Sequence, residues 1–169
     1  ASDALDKLRF EALTDDSISE HSADLNITVD YDADARTVTV SDNGIGMTRD
    51  DVISNIGTIA KSGTHQFLDQ LTGDPKKDAQ LIGQFGVGFY SSFVVADRVD
   101  LVTRHAREGA DAAVRWSSDG SGTFTLEATT RDEPGTDVVL HLSEDCAEFA
   151  DQWRLRSIIR KYSDHISFP

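Results

Sequence analysis

The sequence predicts an α+β fold, a two-layer sandwich in which a mostly antiparallel sheet carries helices on one face. Two observations carry this. Six short segments alternate polar and apolar residues with period two and follow one another with turn residues between them, as antiparallel neighbours do. Segments with helical apolar spacing stand at both ends of the chain and supply the second layer. At 169 residues and 38% hydrophobic, the chain is long enough for one sizeable core and is read as a single domain, residues 1–169.

The elements follow in order. In ASDALDKLRFEAL, Ala4, Leu5, Leu8 and Leu13 recur at helical spacing. Nothing before Ala1 caps this helix, so it reads as entered part-way and the chain as truncated at its N-terminal end. LNITVDYD and ARTVTVSD alternate around a polar ADA, which predicts an antiparallel hairpin of residues 25–31 and 36–41. Thr48 and Asp51 stand at capping-box spacing, predicting a short helix from Arg49 to Ile56 that stops at Gly57. From Ala60 to Gln80, KSGT and GDPKKDA interrupt the periodicity. That stretch reads as a mobile segment with one short helix, a lid whose candidate residues include Ala60, Ser62, Gly63, Gly73 and Gln80. FYSSFVVA then predicts a buried helix, and RVDLVTRH, AAVRWSS, TFTLEATT and TDVVLHLS predict four further strands in an antiparallel meander. EFADQWRLRSIIRKYSDHI closes the chain as an amphipathic helix with Phe149, Trp153, Leu155, Ile158, Ile159 and Tyr162 on its apolar face.

Thirty acids against 16 lysines and arginines give a formal charge of −14, which opposes binding to nucleic acid or to an anionic membrane surface. The one cysteine, Cys146, forms no internal disulfide, no Cys/His cluster has metal-ligand spacing, and a reducing cytoplasm fits. No apolar run reaches about 18 residues, so no membrane span is expected. An anion, if one binds, must be met locally.

Two glycine-rich turns offer local chemistry. GQFGVGF (83–89) enters a helix with glycines at 83, 86 and 88, where bare backbone amides at the positive end of a helix form an anion nest. DNGIGM (42–47) ends a strand with an acid. A carboxylate repels phosphate, so a nucleotide touching Asp42 must present some other part. Neither turn is a Walker loop or a dinucleotide fingerprint.

SDNGIGMT, NIGTIAKSGT, IGQFGVGFYSSFVVADRV and RSIIRKYSDHISFP resemble the N-terminal ATP-binding domain of the ninety-kilodalton heat-shock chaperone family, most of all its bacterial branch. The resemblance covers essentially the whole chain. It implies the ATP-binding fold shared with DNA gyrase B, mismatch-repair ATPases and sensor histidine kinases, with ATP or ADP held between sheet and helices. On that resemblance Asp42 accepts a hydrogen bond from the adenine amino group, which is a donor facing an acceptor. Gly44 and Gly46 let the backbone approach the purine, Met47 packs on its face, and Thr136 belongs to the water network behind it. Asn55 matches the asparagine near the ribose, with helix capping as a competing role, and Lys61 the lysine by the sugar and phosphates. Gly83, Gly86, Val87, Gly88 and Phe89 match the backbone around the phosphates, although Phe89 reads equally well as core. Magnesium is bound mainly through those phosphates.

The family's water-orienting glutamate and magnesium-holding asparagine precede the ASDA that opens this chain, so no catalytic residue is expected within residues 1–169. Asp3 stands seven positions beyond that glutamate, about 10.5 Å along the helix, too far to replace it. The expectation is therefore a chain that binds adenine nucleotide and hydrolyses it poorly, from a parent that is a cytoplasmic, homodimeric, ATP-hydrolysing chaperone acting on unfolded client proteins. A topoisomerase or mismatch-repair ATPase module, and a nucleotide-free interaction module, are the alternatives.

Overall fold

A computed structural model of the chain describes residues 1–57 and 89–169. The lid stretch Ala60–Gln80 and the glycine turn at 83–88 lie outside these residues. Helix α1 (Ser2–Ala12) buries Leu5 and Leu8 completely, against Ile18, Leu25, Ile45 and Ala106. Leu13 does not join that face: the helix ends at Ala12 and Leu13 is 78% exposed. The short helix α2 (Asp16–Ser19) is capped by Asp15, which accepts from the Ser17 N–H at 3.0 Å. Arg107 ties both helices to the sheet through Glu11 (2.6 Å) and Asp15 (2.8 Å).

The hairpin forms as strands β1 (Ile27–Asp32) and β2 (Thr37–Asp42), with Arg36 in the turn at φ 55°. β1 starts two residues later than the alternation suggests because Leu25 is spent on the α1 cluster and pairing begins at Ile27↔Asp42. The capping box is present as expected: Thr48 Oγ1 accepts from the Asp51 N–H at 3.1 Å and Asp51 Oδ2 from the Thr48 N–H at 3.0 Å. Helix α3 (Arg49–Asp51) continues as a π-helical turn over Val52–Gly57.

FYSSFVVA departs from expectation. Only Tyr90–Val94 is helical, as a 3-10 turn with Val94 52% exposed, because Ala96, the last residue of the apolar run, already pairs with Leu142 and opens strand β3 (Ala96–Arg104). Strands β4 (Ala113–Ser118), β5 (Thr125–Thr129) and β6 (Gly135–Leu142) match the remaining alternating segments. Every pairing is antiparallel, but the order is β1-β2-β6-β3-β4-β5. The meander is thus confined to β3-β4-β5. Strand β6 returns across it to pair with β2 on one side and with β3 on the other, which satisfies both of its edges at the centre of the sheet.

Cross-strand partners share a face, so the register sorts the side chains. Val38, Leu140 and Val99 form one row, Val40, Val138 and Leu101 the next, and Asp42, Thr136 and Thr103 the last. This face carries the core, where Val52 and Ile56 of the π-helical turn pack on Val99, Leu101, Val114 and the fully buried Trp116. Helix α4 (Gln152–Tyr162), capped by Asp151, also lies on this face but covers little of it. Leu155 is half-buried, whereas Trp153 is 75% and Tyr162 51% exposed, and a cavity of about 620 Å³ separates the helix from β1 and β2. Phe149 falls in the preceding 3-10 turn, Glu144–Phe149. The expected apolar stripe exists, but most of it is uncovered among the described residues.

The opposite face is polar and organised on one buried acid. Asp100 receives Arg98 Nε at 3.0 Å and Nη2 at 2.9 Å, Ser117 Oγ at 2.5 Å and Arg115 Nη2 at 3.4 Å, and His141 Nε2 stands 2.8 Å from its Oδ2. Burial alone would raise its pKa, but the bonds from Arg98, Ser117 and His141 outweigh it and hold the carboxyl well below the usual carboxylate range. Stability from this group is therefore present above its unfolded pKa near 3.8 and is lost as pH falls below that value. Asp100→Ala is expected to destabilise the fold by roughly 1 to 3 kcal/mol at pH 7, since Arg98 and Arg115 are half exposed and partly rehydrate. Urea unfolding at pH 7 and at pH 3 checks this, with the difference from wild type shrinking at the lower pH.

Candidate functional site

The last row of the covered face opens into a cavity of about 350 Å³, within the size range of small-molecule sites. Its polar end is Asp42 and Thr136, its apolar walls are Ile45, Met47, Ile56, Phe89, Leu101 and Val138, and its rim carries Asp3, Lys7, Asp51 and Asn55. The larger cavity beneath α4 is lined chiefly by aliphatic side chains and has no buried acid.

Asp42 ends β2 at 8% exposure. Its carboxylate accepts one hydrogen bond from the described residues, from the Gly44 N–H to Oδ1 at 3.0 Å, and has no ion pair among them. Burial, only partly offset by that amide, pushes its pKa above the ordinary carboxylate value. The site holds a buried acid with a single donor among the described residues, in contrast to Asp100.

The turn after Asp42 is pinned on all sides. Ile45 donates its N–H to the Ala4 carbonyl at 3.1 Å and accepts from the Ala106 N–H at 2.8 Å, and the Met47 N–H reaches Thr103 Oγ1 at 3.0 Å. Asn43 accepts from the Asn26 N–H at 2.8 Å and donates to the Asp24 carbonyl at 2.7 Å. Gly46 sits at φ 68°, where a Cβ would overlap the Arg104 carbonyl. Across the sheet, Gly135 at φ 126° leaves room for the Asp42 carbonyl, so the Asp42 and Thr136 strands close together at the cavity end. Phe89 takes the core role anticipated as one of its two readings, standing edge-on to Trp116 at 5.3 Å, and also lines the cavity.

The structure thus brings Asp42, Gly46, Met47, Asn55, Phe89 and Thr136 to one cavity. Lys61, Gly83, Gly86, Val87 and Gly88 lie outside the described residues, as do Ala60, Ser62, Gly63, Gly73 and Gln80. Sequence reasoning missed Lys7, Leu101, Val138 and, behind the cavity, Thr103. Lys7 was detectable, one turn after Asp3 on the α1 face that carries Ala4. The strand residues had no local signal.

Comparison with known proteins matches residues 11–139 to a family model described as histidine kinase-, DNA gyrase B- and HSP90-like ATPase. Over all 169 residues the chain is 66% identical to a protein of Halorhodospira halophila, 63% to one of Alkalilimnicola ehrlichii and 60% to one of Cupriavidus necator, each named chaperone protein HtpG. The chain spans only 26–27% of the length of these relatives.

An acid whose folded pKa is raised opposes folding when ionised, and stability declines as pH rises through the window above 3.8. Asp42→Asn keeps an acceptor for the Gly44 amide and removes the buried charge. It is expected to raise the melting temperature of the ligand-free chain at pH 7, with the gain shrinking as pH falls toward 3.8. Thermal melts of both proteins across pH measure this.

Proposed function

Because the chain belongs to the histidine kinase-, DNA gyrase B- and HSP90-like ATPase family, we propose that its cavity binds an adenine nucleotide, with the base at the Asp42 end. One observation carries this reading: among the described residues a buried carboxylate with a single hydrogen-bond donor and no ion pair ends a cavity whose walls are apolar and whose other charged groups, Lys7 among them, stand at the rim. Such a group is satisfied by a ligand that brings its own N–H donor, and the exocyclic amine of adenine is one. Met47, Ile45 and Val138 then sandwich the purine, the Gly46 backbone lies along the same cavity, and Asn55 stands at the rim for the ribose. Lys61, Gly83, Gly86, Val87, Gly88 and Phe89 meet the sugar and phosphates, and magnesium enters on those phosphates.

On this reading residues 1–169 are one nucleotide-binding unit. The relatives' shared name supports a chaperone as the parent; in this proposal that parent is a cytoplasmic heat-shock protein and a homodimer that binds and hydrolyses ATP while acting on unfolded proteins. A DNA-handling ATPase is the weaker reading, since the relatives above, all chaperones by name, match the full chain and the formal charge is −14.

ADP is expected to bind at least about tenfold more tightly than GDP, because guanine places a carbonyl against Asp42 and leaves two acceptors facing each other. Asp42→Asn should weaken ADP by about tenfold or more as the charge-assisted bond is lost. Calorimetric titration reads both, and equal affinity for ADP and GDP would overturn the adenine assignment.

A further inference from the structure

Directly behind the polar end of the cavity lies Thr103, fully buried on β3 and paired in register with Thr136. Its hydroxyl meets three groups: the Met47 N–H at 3.0 Å, the Gly135 carbonyl oxygen at 3.1 Å and Thr136 Oγ1 at 2.8 Å. A threonine hydroxyl offers one proton and two lone pairs. The Met47 amide is a donor and occupies one lone pair. The Gly135 carbonyl is an acceptor and takes the proton. The contact with Thr136 then has one polarity left, in which Thr136 donates and Thr103 accepts. The reverse polarity would withdraw the hydroxyl proton from the buried Gly135 carbonyl.

From this arrangement we infer that Thr103 is a positioning residue for base selection: it holds the Thr136 proton away from the cavity, so that Thr136 meets the ligand as an acceptor. Asp42 and Thr136 together then make an acceptor-only end that selects a base edge bearing a donor. The inference rests on the adenine reading above and adds to it the residue that sets the polarity of the second group. Through Met47 and Gly135 the same hydroxyl also joins the turn after Asp42 to the strand opposite, so one side chain aligns both acceptors.

Removing the Thr103 hydroxyl frees the Thr136 proton to turn into the cavity, where it can serve a ligand carbonyl. The test is calorimetric titration of the chain with ADP and with inosine diphosphate, which carries a carbonyl in place of the amine. Wild type is expected to prefer ADP by about tenfold or more. In Thr103→Val that ratio is expected to narrow by about fivefold, and Thr103→Ser, which restores the hydroxyl, should recover it. A folded Thr103→Val that loses affinity for both nucleotides equally, ratio intact, would overturn the inference while leaving the adenine reading standing. No preference in wild type would remove both. If Thr103→Val does not fold, Thr103→Cys keeps the volume with a much weaker hydrogen-bonding group: a narrowed ratio supports the inference and an unchanged one overturns it.

Discussion

The insertion of β6 between β2 and β3 is the constraint on which the remaining features depend. Without it the sheet would be two separate ribbons, a hairpin and a three-stranded meander, each with an unpaired inner edge. With it, Thr136 is placed between Asp42 and Thr103 in one cross-strand row, and the valine and leucine rows beside it complete the wall against which the helices pack. The polar end and the apolar wall of the cavity are thus successive rows of the same three strands. Gly135 is the local condition for this closure, since any side chain there would strike the Asp42 carbonyl.

Two buried aspartates, Asp42 and Asp100, show how the same residue type is put to different ends. Asp100 gathers two guanidiniums, a hydroxyl and an imidazole on the open face, and its charge is fully compensated within the protein. Asp42 faces the covered side with one amide, and its charge is left for something else to satisfy. The opposite directions of their pKa shifts follow from the number of donors, because both are buried. An uncompensated buried acid costs folding stability, and on the proposed adenine reading its retention at the polar end of the cavity is explained by a ligand that brings its own donor.

The large negative charge of the chain is compatible with the proposed adenine site, since recognition of a base at contact needs no long-range attraction. A hydrogen-bonded carboxylate selects by donor and acceptor pattern at contact, inside apolar walls where the bond is strong. The rigid turn from Asn43 to Met47, held by Ala4, Asn26, Thr103 and Ala106, keeps that carboxylate and its neighbours in place before any ligand arrives.

Much was legible in the sequence because it is written locally. Period-two alternation marked all six strands, the Thr48–Asp51 spacing marked the capping box, and the glycines around Ile45 marked a turn too tight for side chains. Asp42 stood out because an acid between a strand and two glycines has no plain phosphate-binding use. What the tertiary structure alone decided is non-local. The strand order depends on pairing between β2 and β6, nearly a hundred residues apart, and nothing in TDVVLHL distinguishes a central strand from the next turn of a meander. Thr103 reads as an ordinary strand threonine until the register sets it against Thr136. The periodicity of α4 shows that an apolar face exists, but what covers that face depends on what the fold sets opposite it, and among the described residues that is a gap over β1 and β2. Local pattern specifies which way a side chain points along its own element; only the meeting of distant elements specifies what it points at.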